Sequence, residues 1–345
     1  MNMHATPSRK GLKQRNWAAE MIAPLSDEGV GRTASFVSKT FVQESVPAVV
    51  DLFISAQGLY RCFINGSRVG EDLLTPGWTN YDNRIAYQRY DVAPLLVAGE
   101  NRIEIWLADG WYRSPIMWGV NAIPNCWGDR IAAIAELTAG GRTLLSTDAS
   151  WKSGGLPVVK SGIYFGEIFD ARIAFAETHG TEAITFDEAL LVAHEAAPVR
   201  ELSALAPVDQ WRDAEGRLVY DFGQNVGGYV RYTVRGKAGA KVRVEHSEVL
   251  GPDRYFDNRN YRTAVAETHY TLAGEGDETY APYFTFQGYR YARVTITGEA
   301  EIVSIASVPI TSVAEIKGGF ESGSPLVNRL VLNTVWSQRG NFIEV

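Results

Sequence analysis

Through most of the chain, the pattern of short runs of residues predicts β-strands, in which successive side chains face opposite sides of the sheet. The clearest run is Leu59–Ile64, which is followed directly by Asn65-Gly66. That dipeptide accepts the positive φ angles of a two-residue hairpin turn, so it predicts two antiparallel strands that meet there. Thr75-Pro76-Gly77-Trp78 then predicts a second turn.

The same spacing predicts strands at 36–41, 46–54, 85–90, 102–107, 131–137 and 143–146, and later at 229–234, 241–246, 268–272 and 291–296. Turn signals separate them at short intervals, which is typical of sandwiches. We therefore predict an all-β fold of two antiparallel, jelly-roll-like β-sandwich domains. Only residues 186–195 in the middle of the chain suggest a short helix.

A helical pattern replaces the strand pattern near the C-terminus. Ser324 is a predicted N-cap and Pro325 occupies the first helical position. Apolar side chains then recur at helical spacing, at Val327, Leu330, Val331 and Val335. We expect this amphipathic helix to begin a further domain, or to self-associate through its apolar face.

These patterns divide the chain into five parts. We expect a weakly ordered tail at 1–33, a first sandwich at 34–150 and a connector at 151–205. A second sandwich follows at 206–315, and 316–345 holds the C-terminal helix.

Composition narrows the class of protein. The chain has 345 residues and a net charge of −7, which gives no electrostatic case for nucleic acid. No apolar run approaches the roughly 20 residues that span a membrane, and no signal peptide is evident. Two cysteines are too few for a disulfide scaffold, so we expect a cytoplasmic protein. The 9 Trp, 16 Tyr and 14 Phe residues suit both a β-rich core and carbohydrate contacts.

Most familiar catalytic patterns are absent from the sequence. It contains no phosphate loop, no dinucleotide fingerprint and no nucleophile elbow. The five histidines show no metal-ligand spacing, so zinc is not expected. The run Val244-Glu245-His246-Ser247-Glu248 could supply an acid and a base, but without a cleft the structural interpretation is favoured.

The strongest polar cluster is Asn80-Tyr81-Asp82-Asn83-Arg84. Its carboxylate and amide oxygens are ligands that calcium prefers, and a later loop, from Asn121 to Asn125, could add further oxygens. A sugar diol could complete that shell. The alternative, favoured by the residues alone, is a turn whose side-chain oxygens cap backbone N–H groups.

Five segments taken together resemble bacterial α-L-rhamnosidases of glycoside hydrolase family 78. GLYRCFINGSRVGEDLLTPGWTNYDNRIAYQRYDV and LADGWYRS resemble the N-terminal β-sandwich of that family. LVYDFGQNVGGYVRYTVRGKAGAKVRVEHSEVL and FTFQGYRYARV resemble its next, concanavalin-like sandwich, and NRLVLNTVWSQRGNF resembles the lead-in to its (α/α)-barrel catalytic domain. The segments occur in the family's order across residues 34–342.

The resemblance implies an enzyme that hydrolyses terminal α-L-rhamnose from glycosides with inversion. In the family, the acid and the base lie in the barrel, just beyond the Asn-Phe of the lead-in, which is Asn341-Phe342 here. We therefore assign no catalytic residue to this chain and expect it to be inactive alone.

The resemblance also implies a calcium-dependent rhamnose site in the first sandwich, since some family members have such a module. An adjacent Asp-Asn pair belongs to its metal shell, and Asp82-Asn83 matches that pair. Asn121, Pro124 and Asn125 lie in the corresponding later loop, and we predict Asn121 as a metal ligand. Asp82, Asn83, Trp111, Asn121 and Asn125 are the predicted sugar-binding residues. The alternatives are a stand-alone lectin-like module and a purely structural support domain.

Overall fold

The structure is a computed structural model that describes residues 15–116 and 122–344. It contains 24 strands and two helices, α1 (Gly110–Arg113) and α2 (Pro325–Asn341). The strands of the first half are β1 Ile22–Pro24, β2 Ser35–Gln43, β3 Asp51–Gln57, β4 Leu59–Ile64, β5 Ser67–Arg68, β6 Ile85–Asp91, β7 Gly99–Ala108, β8 Ala132–Ala139 and β9 Arg142–Ser146. The next are β10 Lys152–Gly155, β11 Val158–Gly162, β12 Gly166–Asp170, β13 His179–Ala183, β14 Leu191–Ala193 and β15 Arg200–Glu201. The last are β16 Asp209–Arg212, β17 Leu218–Gly236, β18 Lys241–Ser247, β19 Val249–Leu250, β20 Phe256–Asp257, β21 Glu267–Thr271, β22 Asp277–Tyr280, β23 Gln287–Thr297 and β24 Ala300–Thr311.

The first sandwich is one 12-stranded sheet that folds over onto itself. Its order is β14-β6-β3-β8-β1-β13-β10-β2-β7-β4-β5, with β9 beside β8. Ile54 of β3 and Ile105 of β7 belong to the same buried cluster although five strands lie between them in this order. Because neighbouring strands are about 4.8 Å apart, that contact requires the two halves to pack face to face.

The predicted hairpin is confirmed. β4 and β5 pair antiparallel, with Ile64 opposite Ser67, and Asn65 and Gly66 between them have φ angles of 51° and 78°. Both φ values are positive, as a type I′ turn requires. Cys62 and its even-numbered neighbours face the first core, whereas Phe63 packs on Trp106 on the opposite side of the sheet.

The second sandwich is a 10-stranded sheet with the path β11-β12-β21-β18-β23-β17-β24-β15, and β16 and β22 pair with β17. Its core is rich in tyrosine and valine, with Tyr232, Val242, Tyr270 and Tyr280 all buried. The all-β fold class is thus confirmed. Among the described residues, two strand pairs are parallel, β12 with β21 and β14 with β6, and the others are antiparallel.

Residues 151–205 differ from the expected connector. They carry six strands, of which β10, β13 and β14 join the first sheet and β11, β12 and β15 join the second. The short helix expected at 186–195 is a single 3₁₀ turn, Glu188–Leu190, followed by β14. Backbone pairing with distant strands overrides the local helical pattern here.

Residues 15–33 also differ from the expected loose tail. Met21, Ile22 and Ala23 are buried, and β1 pairs with both β8 and β13. This short strand closes the gap between the two halves of the first sheet. The strand expected at 46–54 begins only at Asp51.

A third buried cluster joins the two sandwiches. Phe36, Leu59 and Trp106 of the first pack with Tyr229 and Phe284 of the second. The Arg61 Nε donates a hydrogen bond to the Tyr283 carbonyl at 3.0 Å, and its guanidinium lies 5.0 Å from the Tyr283 ring centroid. The interface is therefore apolar in its centre and fixed by an arginine at its side.

The α2 helix begins at Pro325 as predicted, but Ser324 forms no side-chain cap. The Asn328 side chain instead bonds the backbone of Ser322 in both directions, at 2.8 Å and 2.9 Å. Leu326 and Leu330 on this helix are 84 % and 64 % exposed. In the described part of the chain, no helix is long and apolar enough to cross a membrane.

Candidate functional site

The polar cluster predicted from the sequence forms an exposed turn between β5 and β6. The backbone N–H groups of Asn83 and Arg84 both donate to the Asn80 carbonyl at 2.9 Å. Asp82 and Asn83 are exposed, and the Asp82 carboxylate makes no hydrogen bond within residues 15–116 and 122–344. The Thr79 hydroxyl also donates to the Arg84 carbonyl, so the turn is closed without the Asp82 carboxylate, whose oxygens are exposed.

An aromatic cluster supports this turn from below. We use that name for the five rings of Trp78, Tyr81, Trp111, Tyr112 and Trp127. Tyr81 contacts Tyr112 and Trp127 edge-on, with centroid distances of 5.3 Å and 5.2 Å. Trp78 stacks on Trp111 at 6.1 Å, with only 9° between the ring planes. The Tyr81 hydroxyl donates to the Gly77 carbonyl at 2.9 Å, so this cluster also fixes the turn at Pro76.

Trp111 is buried, whereas a sugar-binding side chain is expected to be exposed. It is 3 % exposed, on the one-turn helix α1, and lies between Trp78 and Phe286 of the second sandwich. Its ring therefore supports the cluster from inside. Of the three tryptophans in the aromatic cluster, Trp78 and Trp127 are half-buried and reach the surface.

The later loop approaches the same turn. A side chain at Gly128 would collide with the Tyr112 hydroxyl, so the loop backbone lies directly against that ring. Burial raises the pKa of Tyr112, and the carboxylates of Asp129 and Asp82 raise it further. The loop and the turn thus each supply one carboxylate that acts electrostatically on Tyr112.

Of the predicted loop residues, Asn125 is exposed and Asn121 lies outside the described residues. Asn125 has a φ of 61°, a left-handed conformation that asparagine tolerates better than most residues. Its backbone N–H donates to the Arg113 carbonyl at 2.8 Å. Asn125 is thus held at the base of the loop, with its side chain in solvent.

A buried arginine anchors the loop and α1 together. Arg113 is 1 % exposed, and its guanidinium contacts the carboxylates of Asp27 at 2.5 Å and Asp109 at 2.6 Å. It also donates to the Asp129 carbonyl at 3.1 Å. Burial raises the pKa of Asp109, while Arg113 and the Gly31 N–H oppose that rise.

The donor set at this site suits a hard cation bound by oxygen. No group of three or more His, Cys, Asp or Glu side chains comes together among the described residues, so a zinc-like centre does not arise there. A cation at Asp82 would instead use carboxylate, amide and carbonyl oxygens, which is the chemistry of calcium. A sugar diol can add two more oxygens to such a shell.

Two neighbours of the cluster lie far from it in sequence and were not predicted. Phe286 comes from the second sandwich, with its centroid 6.5 Å from that of Trp111. Glu344 comes from the segment after α2, and its carboxylate accepts a hydrogen bond from the Trp78 backbone N–H. The carboxylate fits there because Gly77 has no side chain, and a Cβ at that position would collide with it. Burial raises the pKa of Glu344 to about 7. The Pro76-Gly77-Trp78 turn was the only sequence signal for this contact.

Comparison with known proteins agrees with this architecture. Residues 46–206 match the family described as the alpha-L-rhamnosidase N-terminal domain, and residues 212–313 match the bacterial alpha-L-rhamnosidase concanavalin-like domain. A curated alpha-L-rhamnosidase from Streptomyces avermitilis is 37 % identical over 314 residues, which are 85 % of this chain and 30 % of the relative.

Two solved structures share the fold over nearly the whole chain. An α-L-rhamnosidase from Aspergillus terreus has a TM-score of 0.86 and 33 % identity, and covers 94 % of this chain and 40 % of its own. The Streptomyces avermitilis alpha-L-rhamnosidase complexed with L-rhamnose has a TM-score of 0.84 and 34 % identity, over 92 % of this chain and 32 % of its own. This chain thus spans between 30 % and 40 % of the length of these relatives. It belongs to the bacterial α-L-rhamnosidase family, glycoside hydrolase family 78, and corresponds to the N-terminal β-sandwich portion of its members.

Proposed function

We propose that this chain is the non-catalytic N-terminal portion of an enzyme that removes terminal α-L-rhamnose from glycosides with inversion. The observation that carries this proposal is the order of two rhamnosidase domains, 46–206 and 212–313, in one chain. The relatives that share both domains are alpha-L-rhamnosidases, one of them complexed with L-rhamnose.

The surroundings of Glu167, Glu245 and Glu344 support a non-catalytic role for these three carboxylates. An inverting glycosidase needs an acid and a base roughly 6.5–9.5 Å apart on opposite sides of an open cleft. Glu245 is instead buried on Arg293, with hydrogen bonds of 2.9 Å and 2.7 Å. Glu167 is fully buried beneath backbone N–H groups, and Glu344 lies against Gly77. The His246 Nδ1 bonds the Ala266 carbonyl, so the run around Glu245 is part of the sheet.

We expect the purified 345-residue chain to release no p-nitrophenol from p-nitrophenyl α-L-rhamnoside. The physical reason is that its buried carboxylates are already engaged by arginine or backbone donors. A full-length α-L-rhamnosidase in the same assay is the positive control. Release by the pure chain above the buffer rate would contradict the proposal that the catalytic pair lies elsewhere.

A second candidate function is calcium-dependent binding of rhamnose by the first sandwich. The open Asp82 carboxylate, the nearby Asp129 and the half-buried Trp78 and Trp127 support this candidate. In this proposal Asp82 and Asn83 hold the ion, Asn121 and Asn125 supply loop oxygens, and a tryptophan packs on the sugar ring.

Calorimetry with L-rhamnose tests the second candidate. We expect binding in calcium and its loss in chelator, because the ion supplies the contact to the diol. Asp82→Ala and Asn83→Ala should each weaken binding by at least about tenfold. Asn80→Ala, in the same turn, is the matched control, since only its backbone carbonyl has an assigned role. Equal heats with and without chelator would exclude the calcium site.

The α2 helix supports contact with further protein. Leu326 and Leu330 remain exposed on it, and burying such side chains is favourable by roughly 1.5–3 kcal/mol each. We propose that this face packs on a following domain or on a second copy of the chain.

A further inference from the structure

A groove of about 490 Å³ lies between the second sandwich and α2, which lines it from Arg329 to Asn341. We propose that this groove binds one neutral sugar unit of a rhamnose-containing glycan, separately from the Asp82 turn. The inference rests on the proposed function for its ligand class, but the groove is lined by residues of the second sandwich and of α2 and includes none of the predicted site residues of the first sandwich.

A bulge in β17 forms the floor of the groove. The register between β17 and β23 shifts between Asp221 and Val226, so the intervening residues leave the ladder. Asp221 fixes this bulge, because its carboxylate accepts two hydrogen bonds from Arg290, at 2.8 Å and 2.7 Å, and one from the Gly223 N–H at 2.7 Å. Gly223, Gly227 and Gly288 all line the groove, so backbone rather than side chains meets the ligand there.

One wall is a preorganised set of hydrogen-bond acceptors. The Glu248 Oε1 accepts from the Asn225 Nδ2 at 3.2 Å, and the Glu248 Oε2 accepts from the Asn260 Nδ2 at 2.9 Å. Both amide groups therefore point their N–H donors at the carboxylate. The Asn225 backbone carbonyl accepts from the Gln224 Nε2 at 2.9 Å, whereas the Asn225 side-chain oxygen makes no hydrogen bond among the described residues. Carboxylate and amide oxygens held in this way accept hydrogen bonds from sugar hydroxyls.

The opposite wall comes from α2 and supplies donors and an aromatic ring. Arg329 and Asn333 line the groove, and their side chains make no hydrogen bond among the described residues. Trp336 also lines it and packs against the core of the second sandwich, which fixes the position of the ring. A planar ring beside paired donors and acceptors is the arrangement that holds a sugar, whose C–H face is apolar and whose edges are polar.

The charges favour a neutral ligand. Arg290 is neutralised by Asp221, and Arg329 stands in the same groove as Glu248. The groove therefore has no net charge that would attract a phosphate or a sulfate. Phe286 at one end of the groove also contacts Trp111, so the groove ends beside the aromatic cluster.

The test uses the 345-residue chain carrying Asp82→Ala and Asn83→Ala, which removes the candidate site of the first sandwich. Binding of the disaccharide α-L-rhamnosyl-glucose is measured by calorimetry and by saturation-transfer NMR. We expect millimolar binding to persist in this background. Added Trp336→Ala should weaken it at least about tenfold, and Glu248→Gln or Asn333→Ala about threefold to tenfold. Gln338→Ala, on an exposed position of α2 outside the groove, is the matched control.

No binding in the Asp82→Ala/Asn83→Ala background, or equal binding by the Trp336, Glu248 and Asn333 variants, would overturn the groove assignment. Asn333 is exposed, so its variant keeps the test valid even if Trp336→Ala fails to fold. The p-nitrophenol assay and the calcium-dependent calorimetry test the proposed function, and neither uses a groove variant. The two proposals can therefore fail separately.

Discussion

Replacing Glu167 by alanine is expected to lower the free energy of unfolding by about 3–5 kcal/mol. This carboxylate is fully buried and accepts the Tyr280 hydroxyl at 2.9 Å and the backbone N–H groups of Tyr283 and Phe284 at 2.8 Å and 2.9 Å. Alanine would leave three buried donors without an acceptor. The bend at 283–284, between β22 and β23, also contacts the first sandwich, so we expect the contact with Arg61 to loosen as well.

Urea denaturation measures this loss, with Glu301→Gln as the control. Glu301 is on the exposed edge of the second sheet, and its replacement should change stability by less than about 0.5 kcal/mol. An unchanged midpoint for Glu167→Ala would show that the buried hydrogen bonds of this carboxylate contribute little.

Glu167 also makes the free energy of unfolding decrease as the pH rises. Burial raises the pKa of Glu167 from 4.5 to about 7, so between those values the folded protein holds a proton that the unfolded chain has released. The contribution of Glu167 to the free energy of unfolding is full below pH 4.5 and is lost as the pH rises to about 7. The total change is on the order of 3 kcal/mol. Glu344, whose pKa is also about 7, acts in the same direction. Glu167→Gln should therefore reduce the fall in unfolding free energy over this window without abolishing it.

Replacing Arg113 by methionine is the second large effect that we expect, again about 3–5 kcal/mol. Methionine keeps much of the volume but leaves Asp109 buried without its cation, and it removes one partner of Asp27. Arg130→Met is the matched control, because the Arg130–Glu182 pair is about 40 % to 48 % exposed and should contribute less than about 1 kcal/mol.

The Arg113 variant also connects stability to the candidate site. Arg113 holds the Asp129 carbonyl, and its own carbonyl accepts the Asn125 N–H, so the loop opposite Asp82 depends on it. Equal urea midpoints for Arg113→Met and Arg130→Met would exclude the buried ion group as the anchor of this loop.

Structural elements that depend on one short segment of the chain could be predicted from the sequence. The Asn65-Gly66 turn needs only two residues that accept positive φ, and α2 needs only Pro325 and an apolar repeat. The edges of elements were less predictable, as the later start of β3 at Asp51 shows. Ser324 does not form the predicted cap, and the Asn328 side chain bonds the backbone of Ser322 at this end of the helix.

The sequence by itself determined the all-β class, the hairpin, the C-terminal helix and the family resemblance, because these depend on residues close together in the chain or on their order. Only the tertiary structure decided that residues 151–205 supply strands to both sandwiches, since a strand's partners can lie anywhere in the sequence. It also decided that Trp111 is buried while Trp78 and Trp127 reach the surface. The side of an aromatic ring that faces solvent depends on neighbours such as Phe286, which lies 175 positions further along the chain.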